Sequence, residues 1–182
     1  MTALSIKSVG LCADYSPVGD RALRYALTLA THKEFQLNIF SFLQSPYGAH
    51  GALASLDPEA YDKLLIQKEY ELREYYDGRL RDYLDVGFRV CEGKEETQLR
   101  RCLKNKEYEV LVVPYPERGV YFANKPIEEF ANRFLSPVVL VGPWRRVRYY
   151  LNAQAAHIAD KLHLYDGSWR KLPKLDSGCP TC

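Results

Sequence analysis

Apolar runs and amphipathic stretches alternate along residues 1–142. Five short runs are continuously apolar or apolar at every second position, which predicts β-strands. These runs lie at 6–13, 35–43, 86–93, 108–114 and 136–142. Between them, apolar residues recur at every third or fourth position, which predicts amphipathic helices. These helices are expected over about 17–32, 58–84, 94–105 and 124–135.

The βαβαβαβαβ order predicts a fold of the α/β class. Strands separated by helices form a mostly parallel sheet through right-handed crossovers. We therefore expect a doubly wound five-stranded parallel sheet with helices on both faces. The run 108–114 is apolar throughout, as expected of a central parallel strand that is buried on both faces.

The turn after the first strand carries two local signals. Ser16 is a good helix N-cap, and Pro17 suits the first helical position. Asp14 comes at the carboxyl end of the strand, where a doubly wound sheet has its topological switch point. Two roles are open for Asp14: contact with a ligand, or capping of the following turn through its own carboxylate.

The net charge of the chain changes sign after Gly142. Residues 1–142 carry 18 Lys and Arg against 20 Asp and Glu, a net charge of −2, whereas residues 143–182 carry 7 against 3, or +4. We expect one α/β domain over 1–142 and a basic C-terminal extension over 143–182. The extension contains a predicted helix at about 147–163 and a loose tail that is extended or poorly ordered.

Composition excludes several classes of protein. No apolar run reaches the roughly 18 residues that a membrane-spanning helix needs, and the N-terminus lacks the pattern of a secretory signal. We therefore expect a cytoplasmic protein without a membrane partner. The near-neutral charge of residues 1–142 argues against a large nucleic-acid-binding face.

Three of the five cysteines fall within apolar patterns. Cys12 and Cys91 lie in predicted strands and Cys102 on an apolar helix face. An odd number of cysteines in such positions does not indicate a secreted disulfide framework. We expect these three to be buried core residues, because free cysteine behaves as a small hydrophobic side chain.

Cys179 and Cys182 form a Cys-x-x-Cys motif in the tail. Two thiols at this spacing can close a disulfide or bind one metal ion such as zinc. A structural zinc site needs four ligands, so either a homodimer or His157 and His163 would have to complete it. A solvated tail without either role is the alternative.

Four stretches follow the order and spacing of one known family. The first strand ends in CADYSP (12–17), and the third closes with VCEGKEETQL (90–99). The fourth strand reads EVLVVP (109–114), and the last helix and strand read RFLSPVVLVGP (133–143). In these motifs the chain resembles the universal stress protein family over about residues 4–142. The resemblance implies an adenine-nucleotide α-hydrolase-like fold and a homodimer contact at the edge of the last strand.

The resemblance also bears on nucleotide binding. Family members that bind ATP carry G-x2-G-x9-G-[S/T] after the fourth strand, where glycines let backbone N–H groups approach phosphate at a helix N-terminus. Here Pro114 and Glu117 stand at the first two glycine positions, and Asn124 and Lys125 replace the final pair. Proline has no N–H to donate, and Glu117 adds negative charge. We therefore expect a degenerate, glycine-poor loop.

An altered adenine-nucleotide site is the alternative for this loop. In the resemblance, Asp14 lies by the adenosine end of the cleft. Asn124 can cap the following helix, while Arg118 and Lys125 supply positive charge toward an anion. The candidate ligand residues are therefore Asp14, Arg118, Asn124 and Lys125, and the candidate ligands are ATP and AMP.

The stretch WRRVRYY (144–150) interleaves arginines with Trp144, Tyr149 and Tyr150. This composition can stack on nucleic-acid bases, but it is also what protein interfaces favour. Because the stretch follows the last strand, we prefer an interface: the edge of a homodimer, or a surface of the extension that docks another protein.

The sequence contains no Ser/His/Asp, Cys/His or paired-carboxylate arrangement that predicts a defined enzyme. The leading hypothesis is a cytoplasmic, homodimeric, universal-stress-type regulatory or protective module with a degenerate nucleotide loop. The second is an adenine-nucleotide sensor that uses the altered site. The third is a metal or redox protein centred on Cys179 and Cys182.

Overall fold

The computed structural model gives the positions of most of the chain. The described residues are 7–43, 57–80, 82–105, 107–115, 121–122, 125–126, 129, 131–133, 136–142 and 149–159. The strands are β1 (Ser8–Cys12), β2 (Gln36–Leu43), β3 (Val86–Glu92), β4 (Val110–Pro114), β5 (Tyr121–Phe122), β6 (Lys125–Pro126), β7 (Val138–Val141) and β8 (Tyr149–Leu151). The helices are α1 (Pro17–Lys33), α2 (Pro58–Asp77), α3 (Glu95–Lys104) and α4 (Ala153–His157).

The main sheet has the strand order β3-β2-β1-β4-β7-β8. Its first five strands are parallel, which confirms the predicted sheet. The chain runs outward from β1 to β3 and then returns to β4 on the other side of β1. The topological switch point therefore lies between β1 and β4, where Val9 pairs with Val110.

Helices cover both faces of the sheet, as expected. Alternate residues of each strand point to opposite faces, and the buried side chains form two clusters accordingly. One cluster packs α1 and α2 against residues such as Val9, Leu11 and Val112. The other packs Leu99 and Cys102 of α3 against the opposite face.

Local signals set the bounds of the first two helices. The hydroxyl of Ser16 accepts hydrogen bonds from the N–H groups of Val18 and Gly19, at 3.2 and 3.4 Å, so Ser16 is the N-cap of α1 as predicted. Helix α2 ends at Asp77 and not near residue 84. Gly78 follows its last residue, which fits the low helix propensity of glycine.

Two predicted helices are wrong at their starts. In the predicted helix 124–135, Lys125–Pro126 instead form a short strand paired with Tyr121–Phe122. A proline disfavours helical backbone at the residue before it, so Lys125 is extended; Glu129 and Ala131, further on, are helical.

In the predicted helix 147–163, Tyr149–Leu151 form β8, which pairs antiparallel with β7. Aromatic side chains favour strands, and β7 offers an open edge. The helix begins only after Asn152, as the short α4. Residues 160–163, which complete the prediction, lie outside the described residues.

Candidate functional site

The turn that follows β1 is held by a buried tyrosine of α2. The N–H of Asp14 donates to the Tyr76 hydroxyl oxygen at 3.1 Å, and the Tyr76 hydroxyl donates to the Asp14 carbonyl oxygen at 3.3 Å. Tyr76 is fully buried. Burial raises the pKa of Tyr76 well above its usual value, so the hydroxyl keeps its proton and can make both bonds. One side chain thus satisfies both backbone groups of Asp14.

The same turn lies against the first turn of α1. A Cβ atom built on Gly19 would lie 1.8 Å from the Asp14 carbonyl oxygen, far inside van der Waals contact. Only glycine allows this close approach of helix and turn. The backbone of Asp14 is therefore fixed from two directions, by Tyr76 on one side and Gly19 on the other.

The carboxylate of Asp14 is not used to cap this turn. Ser16 provides the cap, and none of the hydrogen bonds or ion pairs between described residues includes the Asp14 side chain. Asp14 is half-buried. The structure thus places a partly exposed acidic group on a rigid backbone at the switch point of the sheet, the position where open α/β sheets bind ligands.

The next residue, Tyr15, presents an aromatic surface. The Tyr15 side chain is 53% exposed, and its ring centroid lies 4.8 Å from that of Tyr75 in an edge-on arrangement. The Tyr75 hydroxyl donates to Asp20 at 3.2 Å, and Arg79 forms an ion pair with Asp20 at 3.3 Å. The Asp20 charge is therefore balanced by Arg79, whereas no ion pair between described residues includes Asp14.

The other predicted ligand residues belong to the segment after β4. Pro114 is the last residue of β4 and pairs with Val141 of β7, and the next residue, Tyr115, is buried. Lys125 lies in β6, where it pairs with Phe122. Arg118 and Asn124 lie outside the described residues, as do Cys179 and Cys182.

Cys12, Cys91 and Cys102 are buried free cysteines, as predicted. The sequence does not reveal that Cys91 of β3 and Cys102 of α3 belong to one core cluster on the same face of the sheet. It also gives no sign that Tyr76 and Gly19 hold Asp14, although the apolar stripe of α2 does predict that Tyr76 is buried. No short-range pattern connects residues on different elements, so these contacts become visible only in the fold.

The described residues contain neither a metal-binding cluster nor a membrane-spanning helix. No cluster of three or more His, Cys, Asp or Glu side chains there could hold a metal ion. No helix in the same part of the chain is long and apolar enough to cross a membrane.

Comparison with known proteins gave matches among solved structures only. No protein-family model and no curated protein matches the sequence. A universal stress protein in complex with cAMP matches at 18% identity with a TM-score of 0.51, over 74% of this chain and 96% of its own. A universal stress family protein from Burkholderia pseudomallei matches at 16% identity with a TM-score of 0.50, over 76% of this chain and 98% of its own.

A third match extends this result. It is a hypothetical protein whose structure was a test case for assigning biochemical function, with 12% identity and a TM-score of 0.56, over 77% of this chain and 98% of its own. All three identities are low, so the likeness concerns the fold. The chain has a universal-stress-protein-like α/β fold, as its sequence motifs predict.

Proposed function

We propose that this chain is a cytoplasmic regulatory or protective module of the universal stress type, with an altered adenine-nucleotide site at the end of β1. The observation that supports this most directly is Asp14. Its backbone is fixed by Tyr76 and Gly19, and its carboxylate takes part in none of the described hydrogen bonds. It lies at the switch point of a fold shared with a universal stress protein in complex with cAMP.

The surroundings of Asp14 favour the nucleoside end of such a ligand. A carboxylate accepts hydrogen bonds from hydroxyl or amino groups, as ribose and adenine would present. Tyr15, the next residue in the chain, offers an exposed aromatic ring, and aromatic rings stack on nucleobases.

The end of β4 disfavours a triphosphate. Pro114 has no N–H to donate to a phosphate oxygen, and it stands where the ATP-binding members have their first glycine. Its place in β4, paired with Val141, also keeps it within the sheet. We therefore expect AMP or cAMP to bind more tightly than ATP.

Calorimetric titration of the full-length chain with adenosine, AMP, cAMP and ATP tests this proposal. Asp14→Asn keeps the side-chain shape but removes the charge. Because a hydrogen bond to a charged group contributes about 1.5–3 kcal/mol, affinity should fall about ten- to hundredfold. Asp20→Asn is the matched control: it lies in the first turn of α1 and is already paired with Arg79, so it should leave affinity unchanged.

Two results would contradict the proposal. One is that none of the four compounds binds at millimolar concentration. The other is that Asp14→Asn and Asp20→Asn bind alike, which would move the ligand away from the end of β1.

The proposal includes a homodimer at the β8 side of the sheet. The outer edge of β7 is occupied by β8 of the same chain, so a second copy has to meet the outer edge of β8 instead. An edge strand presents unpaired backbone groups to a partner. Sedimentation velocity over a range of concentrations should show a dimer. A monomer at every concentration would contradict this and would leave the edge to a different protein.

A further inference from the structure

Helix α2 carries an apolar pair on its surface that does not contribute to the core. The helix buries Tyr61, Leu72 and Tyr76 against the sheet. On a different face, the side chains of Ile66 and Tyr70 are 70% and 65% exposed. These two residues lie four positions apart, so they are neighbours on the helix surface. Single exposed apolar side chains are common, whereas adjacent ones form a patch that a partner can cover.

Charged residues extend this patch in both directions along α2. Glu59, Lys63, Ile66, Tyr70 and Arg73 follow one another at steps of four, three, four and three residues. Residues at this spacing lie along one side of a helix and can pack against a second helix. We call these five residues the α2 seam. The centre of the seam is apolar, and both of its ends are charged.

Ion pairs within the helix orient the charged side chains. Lys63 lies 2.8 Å from Glu59, and Arg73 lies 2.9 Å from Glu69. The Arg73 guanidinium also lies over the Phe88 ring of β3, 5.0 Å from the ring centroid. Exposed ion pairs contribute little to the stability of a single chain. Their order along the helix can therefore serve recognition of a partner.

We propose that the α2 seam binds a second copy of this chain, with the two α2 helices antiparallel about a two-fold axis at Ile66. Residues at equal distances before and after Ile66 then lie at the same level of the two helices. Glu59 is level with the partner's Arg73, and Lys63 is level with the partner's Glu69. Opposite charges therefore meet at both ends, and the two Ile66 side chains meet at the centre.

Charge complementarity favours this arrangement over its neighbours. In a parallel pair each residue faces its own copy, so Glu59 would meet Glu59 and Arg73 would meet Arg73. An antiparallel pair shifted by one helical turn would put Lys63 level with the partner's Arg73. A shift in the other direction would put Glu59 level with the partner's Glu69. Each alternative brings like charges together, which disfavours association.

The α2 seam is separate from the homodimer contact proposed at β8. Helix α2 packs on β2 and β3, and β3 and β8 are the opposite edges of the main sheet. The new contact therefore requires neither the β8 edge nor a bound ligand. A contact through one helix is small beside the roughly 1,200–2,000 Å² that stable complexes bury. We therefore expect a weak, reversible association that is visible at high protein concentration.

Disulfide trapping tests the contact in the full-length chain with its two tail cysteines replaced by serine. Ile66→Cys places a thiol on the two-fold axis, so a mild oxidant should link two copies through this residue. Gln67→Cys is the matched control, because residue 67 is also exposed but points about 100° away around the helix. Both thiols fall in the tryptic peptide 64–68, which lies between Lys63 and the cleavage site after Lys68. Ile66→Cys should cross-link at least about tenfold faster.

Two further measurements test the register and the association itself. A mixture of Glu59→Cys and Arg73→Cys should cross-link faster than either variant alone, because these residues are level in the two copies. Ile66→Glu places two carboxylates face to face and should weaken association about tenfold or more in sedimentation equilibrium. Residue 66 is exposed, so this variant should fold. Gln67→Glu should leave the association unchanged.

Three results would overturn the proposal. The first is an equal cross-linking rate for Ile66→Cys and Gln67→Cys, which would indicate random collision. The second is a mixture of Glu59→Cys and Arg73→Cys that cross-links no faster than the separate variants. The third is an unchanged mean mass for Ile66→Glu up to millimolar concentration, which would leave the seam to solvent or to a different protein.

Discussion

Replacing Asn152 by alanine removes four hydrogen bonds from the interior. The side-chain oxygen of Asn152 accepts from the N–H groups of Val138 and Ala155, each at 2.9 Å. Its amide nitrogen donates to the carbonyls of Ala131 and Ser136, also at 2.9 Å each. Asn152 is fully buried, so water cannot replace these bonds without a change in structure. This one side chain links β7, the residues before it, and α4.

The expected effect of Asn152→Ala is large. A hydrogen bond contributes about 1 kcal/mol net, so four bonds amount to about 4 kcal/mol. Four buried backbone groups also lose their partner, which makes this figure a lower bound. A loss of about 4 kcal/mol is a large part of the roughly 5–15 kcal/mol that stabilises a domain. For a chain of this size it corresponds to a decrease in Tm of roughly 8–16 °C.

Urea denaturation followed by far-UV circular dichroism measures the effect. Asn152→Asp is a sharper form of the same test, because its shape is unchanged but an oxygen replaces the nitrogen that donates to Ala131 and Ser136. It should be at least as destabilising as alanine. Asn132→Ala is the matched control: Asn132 is exposed, and the hydrogen bond that it accepts from the Ala153 N–H is long at 3.3 Å. The loss in the free energy of unfolding should therefore be smaller than that of Asn152→Ala.

This expectation is refuted if the free energy of unfolding of Asn152→Ala lies within about 1 kcal/mol of that of the unmodified chain. Residues 149–159 would then contribute little to the cooperative unit that denaturation reports, despite the pairing of β8 with β7 and the burial of Tyr149.

The remaining predictions concern the turn at Asp14. Gly19→Ala should lower the free energy of unfolding by about 1–3 kcal/mol or more, because the new Cβ would meet the Asp14 carbonyl oxygen. Gly78→Ala is the control: a Cβ at Gly78 has no atom within 4 Å, and the backbone there is helical at φ −66°. It should be neutral or stabilising by up to about 1 kcal/mol. Tyr76→Phe should lower stability by roughly 1–3 kcal/mol in urea denaturation at neutral pH, since two hydrogen bonds are lost. The stability of the unmodified chain should also fall as pH rises above 10. The pKa of Tyr76 is raised from 10.0 in the folded state, so the unfolded chain releases that proton first. The stability of Tyr76→Phe should fall less steeply with pH, and an equally steep fall would contradict the role given to Tyr76.

Most of the fold could be predicted because its signals are local. Strand β4 lies within a continuous apolar run, and all five of its residues are buried. Ser16 and Pro17 mark the start of α1 from their own side-chain chemistry. Such signals depend only on neighbouring residues, so the pattern alone identifies strands and helices and thereby the parallel order.

The errors arose where a distant partner determines the backbone. Leu151, Ala155 and Ile158 follow helical spacing, and all three do pack on the α1 face of the sheet. Leu151 is nevertheless in a strand, because the open edge of β7 satisfies its backbone, and Asn152 then begins the helix. Periodicity cannot distinguish these two arrangements over so few residues.

In the candidate site, too, the local features could be predicted from the sequence and the contacts between distant residues could not. The position of Asp14 at the end of β1 follows from the strand pattern, but its rigidity depends on Tyr76, a residue on a different helix. A carboxylate held in place before a ligand arrives loses little conformational entropy on binding. Tyr76 should therefore affect affinity without touching the ligand. If Tyr76→Phe weakens nucleotide binding while Asp20→Asn does not, the contribution of α2 to function is to hold this turn in its binding geometry.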